Sequence, residues 1–327
     1  MRGMHRLRLA GVITVVAIAM GALAAGAMAW DGHDLITFYA LRDVPELAKF
    51  TRITPRSYSY GDLDQDKYNP GFEIKYIAGE GVGPLSALQI LTSYAAEPDW
   101  GLDQDIELHP LQYLTGGSHG WRHQRYILLN GLVTLGVAPQ RVEHFYTLAV
   151  EAYRRGDLYW AFRFLARALH YLQDLGQPLH ALPMPERDIV TKYRFDFGHA
   201  TTAGNNVHHN TESFIGYHLQ SGRPNLVAAI KGKDTEVITS ARKAAVELNH
   251  FAKRYAEEQY RLSVNIWPEF EENRKVELSR ADFIAAGPKE KVDKLLEIAA
   301  RTLAATGRYS RGLVRQFLQD TGLLGAT

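Results

Sequence analysis

The chain has 327 residues, 46% apolar and 22% charged, with 37 basic residues against 36 acidic ones and no cysteine. This composition excludes a disordered, collagen-like or coiled-coil chain and leaves a globular protein able to bury a sizeable core. The near balance of charge argues against a broad nucleic-acid footprint, and the lack of cysteine excludes disulfides and thiolate metal sites.

At the start of the chain, Arg2, Arg6 and Arg8 precede an apolar run from Leu9 to Ala25, followed by Ala27-Met28-Ala29. A basic segment, a hydrophobic segment and an A-x-A site come in the order of a secretory signal, which predicts a leader over residues 1–29 and a mature chain beginning at Trp30. The alternative is an uncleaved anchor, since Leu9 to Trp30 is just long enough to span a bilayer. Removing the leader takes three arginines and no acid, so 34 basic residues face 36 acidic ones, a balance of −2. The expected location is secreted or periplasmic. There, stability must come from packing and from any metal held by carboxylates and by the histidines, 13 in the full chain less His5 of the leader.

From Leu35 to Lys49 the apolar spacing predicts a helix. The polar stretch from Thr51 to Gly71 then reads as part of an irregular insertion near residues 51–80. Asp62, Asp64 and Asp66 in it have the look of a calcium loop, but the positions that should follow do not, and a solvated turn is the competing reading. Pro84 to Ala96 reads as helix, broken at Pro98. A Gly-rich loop carries His119 and His123. The run from Ala138 to Leu175 predicts two helices divided near Gly156-Asp157, the second stopped by Gly176 and Pro178. A loop around Ala203 to Asn206 leads into a helix over His208 to Leu219, and further helices are expected over Leu226 to Leu262, with a break, and Arg280 to Leu318. Alternating β-branched runs are scarce. The expected fold is all-α, one multi-helix domain over residues 30–327.

The densest chemistry lies between His170 and His180. His170 and Asp174 are four apart on a helix and so share one face. Past the Gly and Pro stop, His180 is aimed where the helix could not point it. A lone His or Asp on such an apolar face is ordinarily a hydrogen-bonded core residue. Three ligand-type side chains in eleven residues are costly to bury without a cation. His208 and Glu212 repeat the four-residue spacing and, with His180, make a two-His, one-carboxylate set suited to zinc with an open position. His209 falls on a different face and defaults to the surface.

His170 to Ala181, His208-x-x-x-Glu212 and a mature N-terminal Trp30 together resemble the zinc-dependent phospholipase C family. The resemblance covers Trp30 to about residue 262, and it implies a helical domain holding three zinc ions. One would be bound by Asp99, His123, His170 and Asp174, a second by the Trp30 amino terminus and His33 with Asp174 bridging, and a third by His180, His208 and Glu212. An α-amino group, with a pKa near ~7.7–8.0, gives up its proton to a metal cheaply at neutral pH. For the implied Asp, Asp103 and Asp105 stand as alternatives to Asp99; for the implied His, His119 stands as the alternative to His123. His109 and His144 carry no functional reading. Gln173 and Gly176 depart from the family pattern, at positions that bear on ligand support and substrate choice.

By the same resemblance, the expected activity is cleavage of phospholipid head groups by a metal-bridged hydroxide, with Asp99 orienting or deprotonating the water. Phospholipid or another phosphodiester is the expected substrate, with transient membrane-surface contact and no stable nucleic-acid partner. Trp100 could offer its ring to a choline cation or simply pack. Single-strand nucleases share this arrangement, but Tyr171 and Glu212 favour the phospholipase branch. A non-catalytic zinc-binding envelope protein is a further alternative. A His-Asp phosphohydrolase, prompted by His33-Asp34, lacks the rest of its motif.

Overall fold

A computed structural model describes residues 32–64 and 83–324; the proposed leader, Trp30 and Asp66 lie outside them. The described chain is mainly helical, with one short hairpin and a single antiparallel bridge between Ile53 and Leu85. In order, the helices are α1 (His33–Leu41), α2 (Ala87–Tyr94), α3 (Gly117–His123), α4 (Ala138–Arg154), α5 (Leu158–Asp174), α6 (Glu186–Thr191), α7 (Phe197–Gln220), α8 (Pro224–Lys231), α9 (Ala241–Ile266), α10 (Arg280–Ala285) and α11 (Lys289–Asp320). Strands β1 (Tyr126–Leu128) and β2 (Val133–Leu135) pair antiparallel, Tyr126 opposite Leu135.

The centre is α5, in which every residue from Tyr159 to Asp174 is buried. It packs on α2, α4 and α11 and touches α1 and α3. The expected division at Gly156-Asp157 is present. The Asp157 carboxylate accepts from the Trp160 amide at 3.1 Å and so starts the helix. At the other end, Gly176 does more than stop it. A Cβ there would lie 2.0 Å from Thr306 Oγ1 on α11, so glycine is what lets the end of α5 close on α11. Gly176→Ala is expected to cost about 1–3 kcal/mol by overpacking, read from chemical denaturation of the metal-free protein.

Several boundaries differ from the sequence expectation. The segment with His119 and His123 is a short helix, α3, and not a loop. Gly120 within it packs so closely on the preceding turn that a Cβ would sit 1.7 Å from the Thr115 carbonyl oxygen. The Gly- and Asn-rich stretch at Ala203 to Asn206 is also helical, continuous with α7. Its asparagines serve tertiary contacts instead of a turn. Asn206 Nδ2 donates to the carbonyls of Phe270 and Arg274 at 3.1 and 2.9 Å, and Asn210 Nδ2 to that of Val276 at 2.9 Å. The first helix ends at Leu41, followed by a single turn at Leu47–Lys49. The break expected between Leu226 and Leu262 separates α8 from α9, and a further break separates α10 from α11.

The described part of the insertion wraps the start of α5. The Trp160 indole donates to the Arg56 and Ser57 carbonyls at 2.9 and 3.0 Å, and the Tyr60 hydroxyl to Asp157 at 3.2 Å. The solvated-turn reading holds at Asp62, which lies in an exposed turn, but not at Asp64. Asp64 is buried and accepts from Tyr58 and His144 at 3.2 and 2.8 Å, while Asp62 pairs with Arg155 at 3.3 Å.

Candidate metal centre

Four polar side chains descend one face of α5: Arg163, Arg167, His170 and Asp174, at spacings of four, three and four. All four are buried. The upper pair anchors Glu97, whose carboxylate takes Arg163 and, at 3.0 Å, Arg167 Nε. Burial raises the Glu97 carboxyl, and Arg167 and Arg163 outweigh it, leaving the group below the ordinary range. This clamp fixes the single turn Glu97–Asp99 and places Asp99 over the lower pair.

There, side chains from separate segments meet. Asp174 Oδ2 lies 2.9 Å from His123 Nδ1 and 3.3 Å from His170 Nε2, and Asp174 Oδ1 lies 3.5 Å from His33 Nε2 and 3.6 Å from His180 Nδ1. Asp99 Oδ1 is 3.2 Å from His170 Nε2 and 3.5 Å from His123 Nδ1. The His119 ring stacks on His123 with centroids 4.0 Å apart. On the far side of His180, Glu212 Oε1 is 3.0 Å from both His180 Nε2 and His208 Nε2. Three groups could therefore each hold a metal ion, with ligand atoms within 4.8 Å of one another: His33, His170 and Asp174; Asp99, His119 and His123; and His180, His208 and Glu212.

The outer contacts orient the rings. His170 Nδ1 donates to the Ala95 carbonyl at 2.7 Å, turning Nε2 inward. Asp103 sits behind His123, accepting from its Nε2 at 3.0 Å and also from Arg122 and the Tyr171 hydroxyl. It is thus placed as a support for the ring and not among the inward-facing atoms, while Asp105 is exposed. The turn carrying His180 is tied to β1, since the Arg125 and Ile127 amides donate to the His180 and Ala181 carbonyls at 3.1 and 2.8 Å. Gln177 Nε2 donates to Glu212 Oε1 at 2.9 Å. The arginine spacing along α5 was the sequence signal for the Glu97 clamp. Nothing local pointed to the parts played by Asp103 or Gln177.

His33 is oriented by the residue that departs from the family pattern. Its Nδ1 donates to Gln173 Oε1 at 2.9 Å, and Gln173 Nε2 donates to Thr37 Oγ1 at 2.8 Å. Removing such a support lowers metal affinity by about 10- to 100-fold. Gln173→Leu is therefore expected to weaken zinc binding by that factor in competition with a chelator, and Gln173→Glu, which keeps the acceptor, to recover much of it. Equal affinities for Gln173→Leu and wild type would remove the assignment.

Burial raises the Asp174 carboxyl, and the His170 and His123 charges more than reverse this, holding it well below 3.8. Glu212 is lowered to about 2 in the same way, burial being outweighed by His208 and His180. Burial lowers His123 and His170, but the facing carboxylates bring them to about 9 and about 10. His119 moves the other way, to about 4, through burial and then the charge of His123, so its lone pair is free at neutral pH.

A divalent cation fits this donor set. Asp174 Oδ1, Asp99 Oδ1, Glu212 Oε2 and His119 Nδ1 are buried without a hydrogen-bond partner. The donors are imidazole nitrogens and carboxylate oxygens with no sulfur, a set that suits zinc.

Fold and site together define an all-α protein with a buried, multi-centre histidine–carboxylate cluster. Among solved structures, the chain is similar to the Clostridium perfringens alpha-toxin isolated from an avian strain and to the alpha toxin from Clostridium absonum, each at 13% identity and a TM-score of 0.37. The similarity covers 91% of this chain but only 65% and 66% of those two, so the chain spans less than two thirds of their length. No protein-family model and no curated protein matches the chain. Among the described residues, no helix is long and apolar enough to cross a membrane.

Proposed function

We propose that this chain is a zinc-dependent phosphoric ester hydrolase of the phospholipase C type, exported after cleavage before Trp30 and holding three ions. The observation that carries the reading is the position of Asp174, whose two oxygens face histidines from four separate segments of the chain. The three ligand groups are thereby contiguous, which a set of unrelated structural zinc sites would not require.

Ions held there supply Lewis acidity, neutralising charge that builds on phosphoryl oxygens and acidifying a nearby water. The chain's own residues do the rest. His33, His170 and Asp174 hold one ion, with the Trp30 amine as a further donor. Asp99, His119 and His123 hold a second, and His180, His208 and Glu212 a third. Asp103 and Tyr171 keep His123 turned inward. Asp99, with a side chain 19% exposed, is the carboxylate of the cluster most open to substrate. Burial raises its carboxyl, but the His170 and His123 charges outweigh this and hold it below its ordinary value, so it stands ionised beside the cluster and can orient a water. Trp100 beside it is 49% exposed, an open ring face next to the place where a head group would lie.

The processed, zinc-loaded protein is to be assayed on phosphatidylcholine, single-stranded DNA and a generic phosphodiester. Release of a phosphorylated head group supports the proposal, DNA cleavage moves the chain to the nuclease branch, and inertness on all three leaves a structural zinc protein. Asp99→Asn should lower turnover far more than zinc content. Equal losses would reduce Asp99 to a ligand. Mass spectrometry of the exported protein checks the new N-terminus at Trp30.

A further inference from the structure

An open cleft of about 860 Å³ lies between the turn after α1, the end of α8 and α11, a volume suited to a small-molecule site. Ala40 lines it while His33 begins the same helix, so about 10 Å of helix separates the cleft from the ligand cluster.

Cations gather on one part of the lining: Lys231 and Lys233 at and after the end of α8, and Arg311 and Arg315 on α11. Asp43 and Glu46, in the turn after α1, are the acids of the lining, and Asp43 is exposed and 3.4 Å from Arg42. Among the described residues, Lys231, Lys233 and Arg315 make no ion pair. Arg311 is buried and is held by main-chain oxygens: Nε donates to the Asp234 carbonyl at 2.9 Å, and Nη1 to those of Ile230 and Ala40 at 2.7 and 3.5 Å. Ala40 and Ile230 stand in the last turns of α1 and α8, where a cation is favoured. Gly307, one turn before Arg311, lets α8 come this close, since a Cβ there would lie 2.4 Å from the Ile230 carbonyl oxygen. The guanidinium is thus anchored on one side. No carboxylate among the described residues is at ion-pair distance of it, and its Nη2 has no acceptor among them. Val44, Pro45 and Leu318 supply an apolar wall.

We propose that this cleft binds an organic anion with a carboxylate or phosphate-monoester head and an apolar tail of several carbons. The head accepts from Arg311 Nη2 and offsets the excess of four cations over two acids in the lining, and the tail covers Val44, Pro45 and Leu318. An anchored guanidinium is a preorganised donor for such a head. A neutral lipid would leave the cations unmet, and a bare inorganic ion would leave the apolar wall in water. The site is independent of the phosphohydrolase reading and would stand if that reading failed.

The test titrates decanoate and decyl phosphate, below their aggregation concentrations, into the whole zinc-loaded chain by calorimetry. Both should bind, the tighter one naming the head group. Lys231→Ala, Lys233→Ala and Arg315→Ala combined should weaken both by about 10-fold or more, with the thermal midpoint little changed because these side chains are partly or fully exposed. A crystal structure with decyl phosphate should place the head beside Arg311. Decanol binding as tightly as the anions, inorganic phosphate binding as tightly as decyl phosphate, an affinity unchanged in the triple variant, a head lodged at the zinc cluster instead, or a cleft filled by another part of the chain each overturns the proposal. If the triple variant does not fold, the crystal structure of wild type with decyl phosphate decides.

Discussion

Zinc added to the metal-free protein at pH 7 is expected to release protons, and the two forms should respond to pH in opposite directions. In the metal-free cluster His123 and His170 carry pKa values of about 9 and about 10, raised from 6.5 by the facing carboxylates against the effect of burial. A group raised on folding contributes stability that is complete below its unfolded value and is lost as pH rises through the folded one. That contribution is therefore full below pH 6.5 and is lost as pH rises through about 9 for His123 and about 10 for His170. Asp174 and Glu212 are lowered on folding, so their contribution is present above the ordinary carboxylate range and lost as acid reaches their depressed values. Zinc reverses the alkaline slope. It needs the lone pairs of His123 Nδ1 and His170 Nε2, which lie only 3.0 Å apart, while Asp103 and the Ala95 carbonyl keep the proton on the other nitrogen of each ring. With one or two protons displaced, affinity should climb about 10- to 100-fold per pH unit between pH 7 and 9. Calorimetric titration in buffers of different ionisation enthalpy measures the release, and melting curves with and without zinc from pH 6 to 10 measure the slopes. Binding heats that do not depend on the buffer would contradict the proton displacement.

Asp174→Asn is the single substitution expected to do most damage. The side chain keeps its shape but loses the charge that faces His123, His170, His33 and His180. Zinc affinity should fall by at least about 100-fold, and phosphodiesterase activity with it. The metal-free protein should also lose about 3 kcal/mol at pH 6, because buried imidazolium groups are left without their counter-charge. As pH rises through about 9 and about 10 those groups lose their charge in the wild type too, so the deficit should be smaller at pH 10 than at pH 6. Denaturant titrations at the two pH values, with zinc per chain measured on the same samples, separate this electrostatic loss from a packing defect. A packing defect would be the same at both.

The helical character of the chain and the boundary between α4 and α5 were legible because they follow from short-range pattern. The misread stretches were those rich in glycine and asparagine. Gly176 stops its helix as expected and also lets α11 approach too closely for a Cβ, whereas Gly120 read as a loop signal but sits inside a helix packed on the preceding turn. Asn206 suggested a loop, and instead it and Asn210 hold the segment after Phe270 against α7. Glycine and asparagine are ambiguous in this way because a tight tertiary contact and a local turn call for the same small or amide side chains.

By itself, the sequence determined the pairs that helical spacing sets, His170 with Asp174 and His208 with Glu212, and the offset of His180 beyond Pro178. Those depend on the geometry of one turn of backbone, which neighbouring residues decide. Only the tertiary structure decided that His33, Asp99, His119 and His123 close on the same pocket, and that Asp103 stands behind a ring and not before it. Each of these is a meeting of segments tens of residues apart. Such meetings depend on how α1, α3, α4 and the Glu97–Asp99 turn pack against α5, and no spacing within a single segment encodes that packing.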